Sequence, residues 1–354
     1  MRYTYTNMTL LTRRLIFYAL VIIFILATPP TIFYAMGYTF DWQKKALLQT
    51  GGFYFKSSPA NAEVLIDGEN NKTTPRLISR LLPKTYSIEI IQDGFYPWRK
   101  NLEVSPKLVT EARNIILFPK NLKPEIILTN ATTTVQDWLT SLEDKKNQML
   151  AKNIASTSPG WLNNGNDIFY LDSSSFILYR QDLGEFIKEQ LSKESLPKEN
   201  YKIINSSNAR FLVLDSRGAL YLLNKETGIF EEIGSQVKDA KFSGDNKKIL
   251  IQTDNELWIL YIEDILIQPY KKAGDRELIT RYSQPISQAI FYPNNEYIAF
   301  VVGDQIKITE LDGRDARNTV DFVSVPSPQI YFDAPNSYFY WLTKNIIFRI
   351  RLES

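Results

Sequence analysis

From Leu15 to Phe40 the chain runs 26 positions without a charged residue. From Gly51 onward, short apolar runs alternate with polar residues and are broken by turn dipeptides. The first pattern predicts one helix long enough for a bilayer, which takes ~20 apolar residues. The second predicts strands, because strand side chains alternate with a period of two.

Around the N-terminal run, Arg13 and Arg14 abut its start, Lys44 and Lys45 follow its end, and Tyr34, Tyr38 and Trp42 cluster at the far side as an aromatic belt would. A cleavable signal peptide would have Leu15–Ala27 as its apolar core. Cleavage needs small residues at −3 and −1, and Ala27 and Ala35 have Ile25 and Phe33 at −3. An uncleaved signal anchor therefore fits better. Pro29-Pro30 removes helix hydrogen bonds, so a kink or an early helix end is expected there. The paired arginines favour a cytoplasmic N-terminus. The expected order is a cytoplasmic segment 1–14, a transmembrane anchor 15–38 and a linker 39–50, with the bulk of the chain outside the cytoplasmic membrane.

Residues 51–118 read as short strands. GGFYFKSS puts Phe53 and Phe55 on one face, and TYSIEII puts Tyr86, Ile88 and Ile90 opposite Ser87 and Glu89. Asp67-Gly68 and Asp93-Gly94 are hairpin turns. The segments SSPANA (Ser57–Ala62), VLIDG (Val64–Gly68), Thr74-Pro75, LPKTYSI (Leu82–Ile88) and DGFYPW (Asp93–Trp98) resemble, in order and spacing, the PEGA domain family. Asn61 stands within the name-giving tetrapeptide, Lys84 replaces the usual turn glycine, and Lys72 sits where glycine often precedes Thr-Pro. The resemblance implies a small envelope β-sandwich with a structural or adhesive role and no catalytic residues.

Beyond it, five segments align without gaps: Trp161–Ile168, Ile204–Phe211, Phe242–Ile249, Phe291–Ile298 and Phe332–Phe339. Each has an apolar residue, a polar turn and a second apolar residue seven positions on. Asn208, Asn246, Asn295 and Asn336 share one register. Their starts lie 43, 38, 49 and 41 residues apart, and periods near 40–50 with several strands per unit indicate propeller blades. The segments resemble the TolB-type, WD-like propeller repeat, with FSGDNKKI (Phe242–Ile249) the nearest to its pattern. The chain ends soon after the strand IIFRIRL, so Pro124–Thr129 is expected to supply the last blade's outermost strand, with Ile126, Ile127 and Leu128 partly buried. A sixth blade is the alternative if residues 132–158 hide one, although QDWLTSLEDKKNQML reads as a short helix or lid. The fold class expected is all-β apart from one N-terminal transmembrane helix, with a PEGA sandwich at 51–118 and a propeller of about five blades at 119–354.

Composition narrows the chemistry. Cysteine and histidine are both absent, which excludes disulfides, Cys/His zinc sites and His-dependent nucleophilic catalysis. Three of the 41 basic residues precede Asp41, leaving 38 against 39 acidic ones. The large part has no basic excess to track a phosphate backbone, so no nucleic-acid partner is expected. The carboxylate pairs Glu231-Glu232 and Asp312/Asp315 fall at strand ends or turns, where solvated charge is the ordinary state. LDGRD (Leu311–Asp315) lacks the spaced ligands and final glutamate of a calcium loop. The stretch KEQLSKESLPKENYK (188–202) reads as a solvated insertion. Asn7-Met8-Thr9 and Asn130-Ala131-Thr132 match the glycosylation pattern, which is common by chance. No catalytic, cofactor or metal residue is assigned.

Three functions are compatible with this order of parts, which resembles bacterial membrane-anchored PEGA proteins with a propeller. One is a non-catalytic envelope binding or scaffold protein with a protein, peptide or glycan partner. A second is a glycan- or peptide-processing enzyme, which would need two carboxylates ~5–9.5 Å apart at the axial mouth. A third is a sensor acting through a cytoplasmic partner. Fold alone does not decide among them.

Overall fold

The computed structural model describes residues 9–131 and 158–352, apart from 43, 165–166, 183, 186, 206 and 334–336. The chain forms two compact units, residues 1–91 with 97–115 and residues 92–96 with 116–354.

In the first unit, α1 (Leu10–Ala35) starts five residues earlier than the charge-free run implies, because the Thr9 hydroxyl caps it by accepting from the Thr12 N–H at 3.3 Å. Arg13 and Arg14 thus lie inside its first turns. Pro29-Pro30 does not end the helix, which continues to Ala35. Thr28 and Thr31 donate hydroxyl protons to the Phe24 and Ala27 carbonyls at 2.6 and 2.7 Å, beside the positions the prolines leave without an N–H partner. Every residue of α1 is unburied. The stretch expected to be a linker is instead an antiparallel hairpin, β1 (Tyr38–Asp41) with β2 (Ala46–Gln49).

A sandwich follows. One sheet orders β6 (Arg76–Leu81), β3 (Gly51–Ser58) and β9 (Val109–Ile116). The other orders β5 (Glu69–Thr73), β4 (Glu63–Ile66), β7 (Thr85–Ile91) and β8 (Trp98–Glu103). Phe53, Phe55, Val64, Ile66, Ile88, Ile90 and Trp98 fill the space between them, as the period-two reading requires. The Thr-Pro motif has a physical role. Thr74 is buried, shares a 2.6 Å hydrogen bond with the Ser57 hydroxyl and accepts from the Ala62 N–H. Asp67 and Gly68 both take positive φ, +51° and +83°, the geometry of a primed hairpin turn. Asn61 (+65°) and Lys72 (+127°) occupy the left-handed half of backbone space. Lys84 does not, so the missing glycine there carries no backbone strain, and its ammonium pairs with Asp67 at 2.8 Å.

The second unit is a propeller. Among the described residues it holds five four-stranded antiparallel sheets. The first runs β11 (Trp161–Asn164), β12 (Asp167–Leu171), β13 (Leu178–Asp182), β14 (Lys188–Gln190). The second is β15 (Tyr201–Asn205), β16 (Phe211–Asp215), β17 (Leu220–Leu223), β18 (Phe230–Gly234). The third is β19 (Asp239–Phe242), β20 (Lys248–Gln252), β21 (Glu256–Tyr261), β22 (Arg276–Arg281). The fourth is β23 (Ile286–Phe291), β24 (Tyr297–Val302), β25 (Gln305–Glu310), β26 (Thr319–Ser324). The fifth orders β27 (Gln329–Asp333), β28 (Tyr338–Thr343), β29 (Ile346–Arg351) and, as its outer strand, β10 (Glu125–Thr129). Most of residues 132–158, which read as a short helix or lid and which the alternative of a sixth blade would use, lie outside the described residues. The charged stretch 188–202 is not all loop. Lys188–Gln190 forms β14, and Leu196 is buried in the core.

Second strands explain how the sheets stack. In β16, β20 and β24 every residue is buried. Alternate side chains enter opposite cores: Phe211 and Val213 pack toward the first sheet, Leu212 and Leu214 toward the third. Ile298 and Phe300 likewise pack toward the third sheet, and Ala299 and Val301 toward the fifth. A strand with apolar neighbours on both faces loses its period-two signature.

The shared asparagine register marks the turn between first and second strands. Asn246 and Asn295 both have φ near +58°, closing turns in which their N–H bonds the carbonyl of Ser243 or Tyr292. Each also reaches the preceding sheet. Asn246 Nδ2 donates to the Ser207 hydroxyl at 2.6 Å, and Asn295 Oδ1 accepts the Gly244 N–H at 2.8 Å. Beside them, buried Lys248 bonds the Asn295 carbonyl (2.9 Å) and Glu296 (2.7 Å). In the second sheet the left-handed residue is Ala209, one place after Asn208.

The closing strand pairs as its sequence implies. Glu125, Ile126, Leu128 and Thr129 face Arg349, Phe348, Ile347 and Ile346, with a bulge at Ile127. Ile127 and Leu128 pack on Tyr340 and Ile347. Ile126, expected to be partly buried, is 59% exposed. Phe118 belongs to this unit, its ring set edge-on against Tyr292, Tyr297 and Phe322.

Candidate binding face of the propeller

Sheet connectivity gives the propeller two ends. One carries the links between successive sheets and the turns between second and third strands; the other carries the remaining turns. At the first end a cleft of about 820 Å³ opens between the fourth and fifth sheets, lined by Gln284, Pro285, Ser287, Gln288, Gly303, Ser327, Pro328, Gln329, Ile330 and Tyr331. Local sequence makes it. Register shifts in β23 between Ile286 and Gln288. The Gln288 amide then bridges to β27, donating to the Ile330 carbonyl at 2.7 Å and accepting its N–H at 2.8 Å. Pro285 and Pro328 precede the first strands of the two sheets and bring no N–H to pair. The walls combine amides, hydroxyls and one phenol with the apolar surfaces of Pro285, Pro328 and Ile330, and no carboxylate is among them.

At the same end, between the second and third sheets, a cleft of about 770 Å³ is charged. Its groups are already engaged. Glu256 accepts from the Trp258 indole at 2.8 Å and from Arg281 at 2.6 Å, and Arg276 lies 4.9 Å over the Trp258 ring. Its carboxyl is held below the usual range, first by the indole N–H and then by Arg281, against the opposing effect of burial. At the opposite end, a cleft of about 610 Å³ between the first and second sheets contains Asp167 and Glu189, both bridged by Arg180 at 2.9 and 3.3 Å.

First strands are tied across three sheets by Lys202, Asp239 and Lys241. Asp239 accepts from Lys202 at 2.6 Å, and Lys241 reaches both Asp239 (3.3 Å) and the Ala289 carbonyl (2.8 Å). Burial pushes the Lys241 ammonium down. For Asp239 burial pushes upward, but Lys241 and Lys202 outweigh it and hold the carboxyl low. Within the wall a single carboxylate is thus shared by two ammonium groups from neighbouring sheets.

The carboxylates singled out in the sequence are not brought together. Glu231 and Glu232 are exposed neighbours on β18, where successive side chains point to opposite faces, and Glu231 accepts from Asn224 at 2.9 Å. Asp312 is clamped by the Arg314 guanidinium at 2.6 Å, while Asp315 takes φ of +59°. Neither pair lines any of the three clefts. Among the described residues no group of three or more carboxylates could hold a metal. The lining of the large cleft was not singled out from the sequence, because uncharged polar residues at strand starts look like ordinary turn residues. The shared proline before β23 and β27 is the one mark that distinguishes them.

Residues 50–116 match the PEGA domain family. The match covers the sandwich of the first unit and ends before the propeller. No curated protein matches the chain. Among solved structures, the β-propeller domain of Cps50 (Swd1) from Myceliophteria thermophila is similar, with 13% identity over 53% of this chain and 67% of its own, at a TM-score of 0.39. A TolB from Agrobacterium tumefaciens has 14% identity over 52% of this chain and 66% of its own, at 0.34. The chain thus spans about two thirds of these propellers.

Proposed function

We propose that the chain is a membrane-anchored, non-catalytic binding or scaffold protein of the cell envelope. In this reading α1 is an uncleaved single-span anchor with its N-terminus in the cytoplasm. The PEGA sandwich is a spacer or wall contact, and the propeller presents a binding face to a protein, peptide or glycan. The observation that carries the reading is the uncharged cleft between the fourth and fifth sheets. Its amide and hydroxyl groups can hydrogen-bond an extended peptide backbone or a glycan chain. Its lack of carboxylates offers nothing for the acid–base work that glycan or peptide hydrolysis needs. Binding rather than processing is therefore the better supported of the two.

The test uses the full-length protein in detergent, titrated calorimetrically with wall oligosaccharides and with extended peptides. Gln329→Trp, which fills the cleft from an exposed strand position, is expected to abolish binding without lowering the melting temperature. Undiminished binding in that variant, or the appearance of cleaved products from either ligand class, would overturn the proposal.

A further inference from the structure

The third sheet carries a long connection between its outer strands, Ile262–Asp275, at the end of the propeller opposite the large cleft. Its tip exposes three large apolar side chains: Leu266 at 82%, Ile267 at 56% and Tyr270 at 67%. The base is rigid. Ile265 and Lys271 form a two-bond bridge at 2.8 and 3.3 Å, Asp264 accepts the Ala273 N–H at 2.8 Å, and Ile265 packs into the core between the third and fourth sheets. From the fourth sheet, Arg314 donates to the Gln268 side chain at 3.4 Å. The apolar tip is thus held out in water by a fixed frame, and binding through it costs little ordering entropy.

We propose that this knuckle inserts into the interfacial layer of the bilayer to which α1 tethers the chain. The inference rests on the anchor assignment made above. Three side chains of at most ~250 Å² each, only partly available, fall short of the ~800 Å² per partner of a standard protein interface. A bilayer needs no complementary surface, and a tether supplies the high effective concentration that a small contact requires. The flanking chemistry suits the same layer. Tyr270 is amphipathic, and exposed Lys272 lies two residues on, while Lys271 is turned back to Glu277 and helps fix the base. Ile187, 58% exposed, sits in the corresponding connection of the first sheet at the same end.

The chain has no cysteine, so Leu266→Cys, Tyr270→Cys and, as a control at the opposite end, exposed Ser324→Cys each create one labelling site in the full-length protein. Each carries an environment-sensitive fluorophore and is reconstituted into phosphatidylcholine–phosphatidylglycerol vesicles, with flotation run in parallel. Blue-shifted emission at 266 and 270, quenched by nitroxide-bearing lipid, with aqueous emission at 324, is the expected result. Aqueous emission at 266 and 270 in protein that floats overturns the knuckle and leaves the anchor standing. A blue shift that ignores the nitroxide lipid and grows with protein density assigns the knuckle to a second copy of the chain instead. Failure to float refutes the anchor, and the knuckle proposal with it.

Discussion

Removal of β10 tests how the propeller is held shut. Its four paired positions on β29 carry about four ladder hydrogen bonds, each worth ~0.5–1.5 kcal/mol net, or ~2–6 kcal/mol together. Half-buried Ile127 and Leu128 on Tyr340 and Ile347 add roughly half of the ~1.5–3 kcal/mol that full burial of each would bring, about 1.5–3 kcal/mol in all. The exposed Glu125–Arg349 pair adds little. The sum, ~4–9 kcal/mol, is comparable to the ~5–15 kcal/mol that stabilises a whole domain. At ~2–4 °C per kcal/mol for a domain of this size, the melting temperature falls by on the order of 10–30 °C. Two truncated chains make the comparison, one beginning at Lys123 and one at Asn130. Both lack Phe118 and its ring contacts, so that loss cancels. The first is expected to be soluble with one cooperative transition by circular dichroism. The second is expected to melt far lower or precipitate, because the apolar strand Ile346–Arg351 becomes an unpaired edge. Equal melting temperatures would show that β10 does not hold the last sheet.

Two further outcomes are expected. If the N-terminus lies inside, as proposed, protease added to intact spheroplasts degrades the chain beyond about residue 45; full protection of that part reverses the orientation. Burial raises the phenol pKa of Tyr201, Tyr261, Tyr292 and Tyr297. Their folded values lie above the unfolded ~10, so the stability they contribute is complete below pH ~10 and is lost as pH rises beyond it. In an alkaline titration followed by tyrosinate absorbance, these four ionise only together with loss of the circular dichroism signal; ionisation of every tyrosine before unfolding refutes this.

Local chemistry made much of this protein legible in one dimension. The charge-free run announces α1, Asp67-Gly68 and Asp93-Gly94 announce hairpins, and Phe53, Phe55, Tyr86, Ile88 and Ile90 announce a two-faced sandwich, because each depends on neighbours within a few residues. The asparagine register also follows from local need, since Asn246 and Asn295 close turns at positive φ. The closing strand is legible as a short apolar run at Glu125–Thr129, and its pairing with β29 is a long-range contact. Where α1 begins, that Pro29-Pro30 lies within it, and that residues 38–49 form a hairpin were settled by capping and by pairing between segments. The cleft could not be read in advance. Gln288 and Ile330 lie 42 residues apart, and only the stacking of the fourth sheet on the fifth lets one side-chain amide bridge both strands beside the opening. The exposed knuckle has the same origin. Leu266, Ile267 and Tyr270 look like core residues in the sequence, and they face water because the bridge between Ile265 and Lys271 closes beneath them.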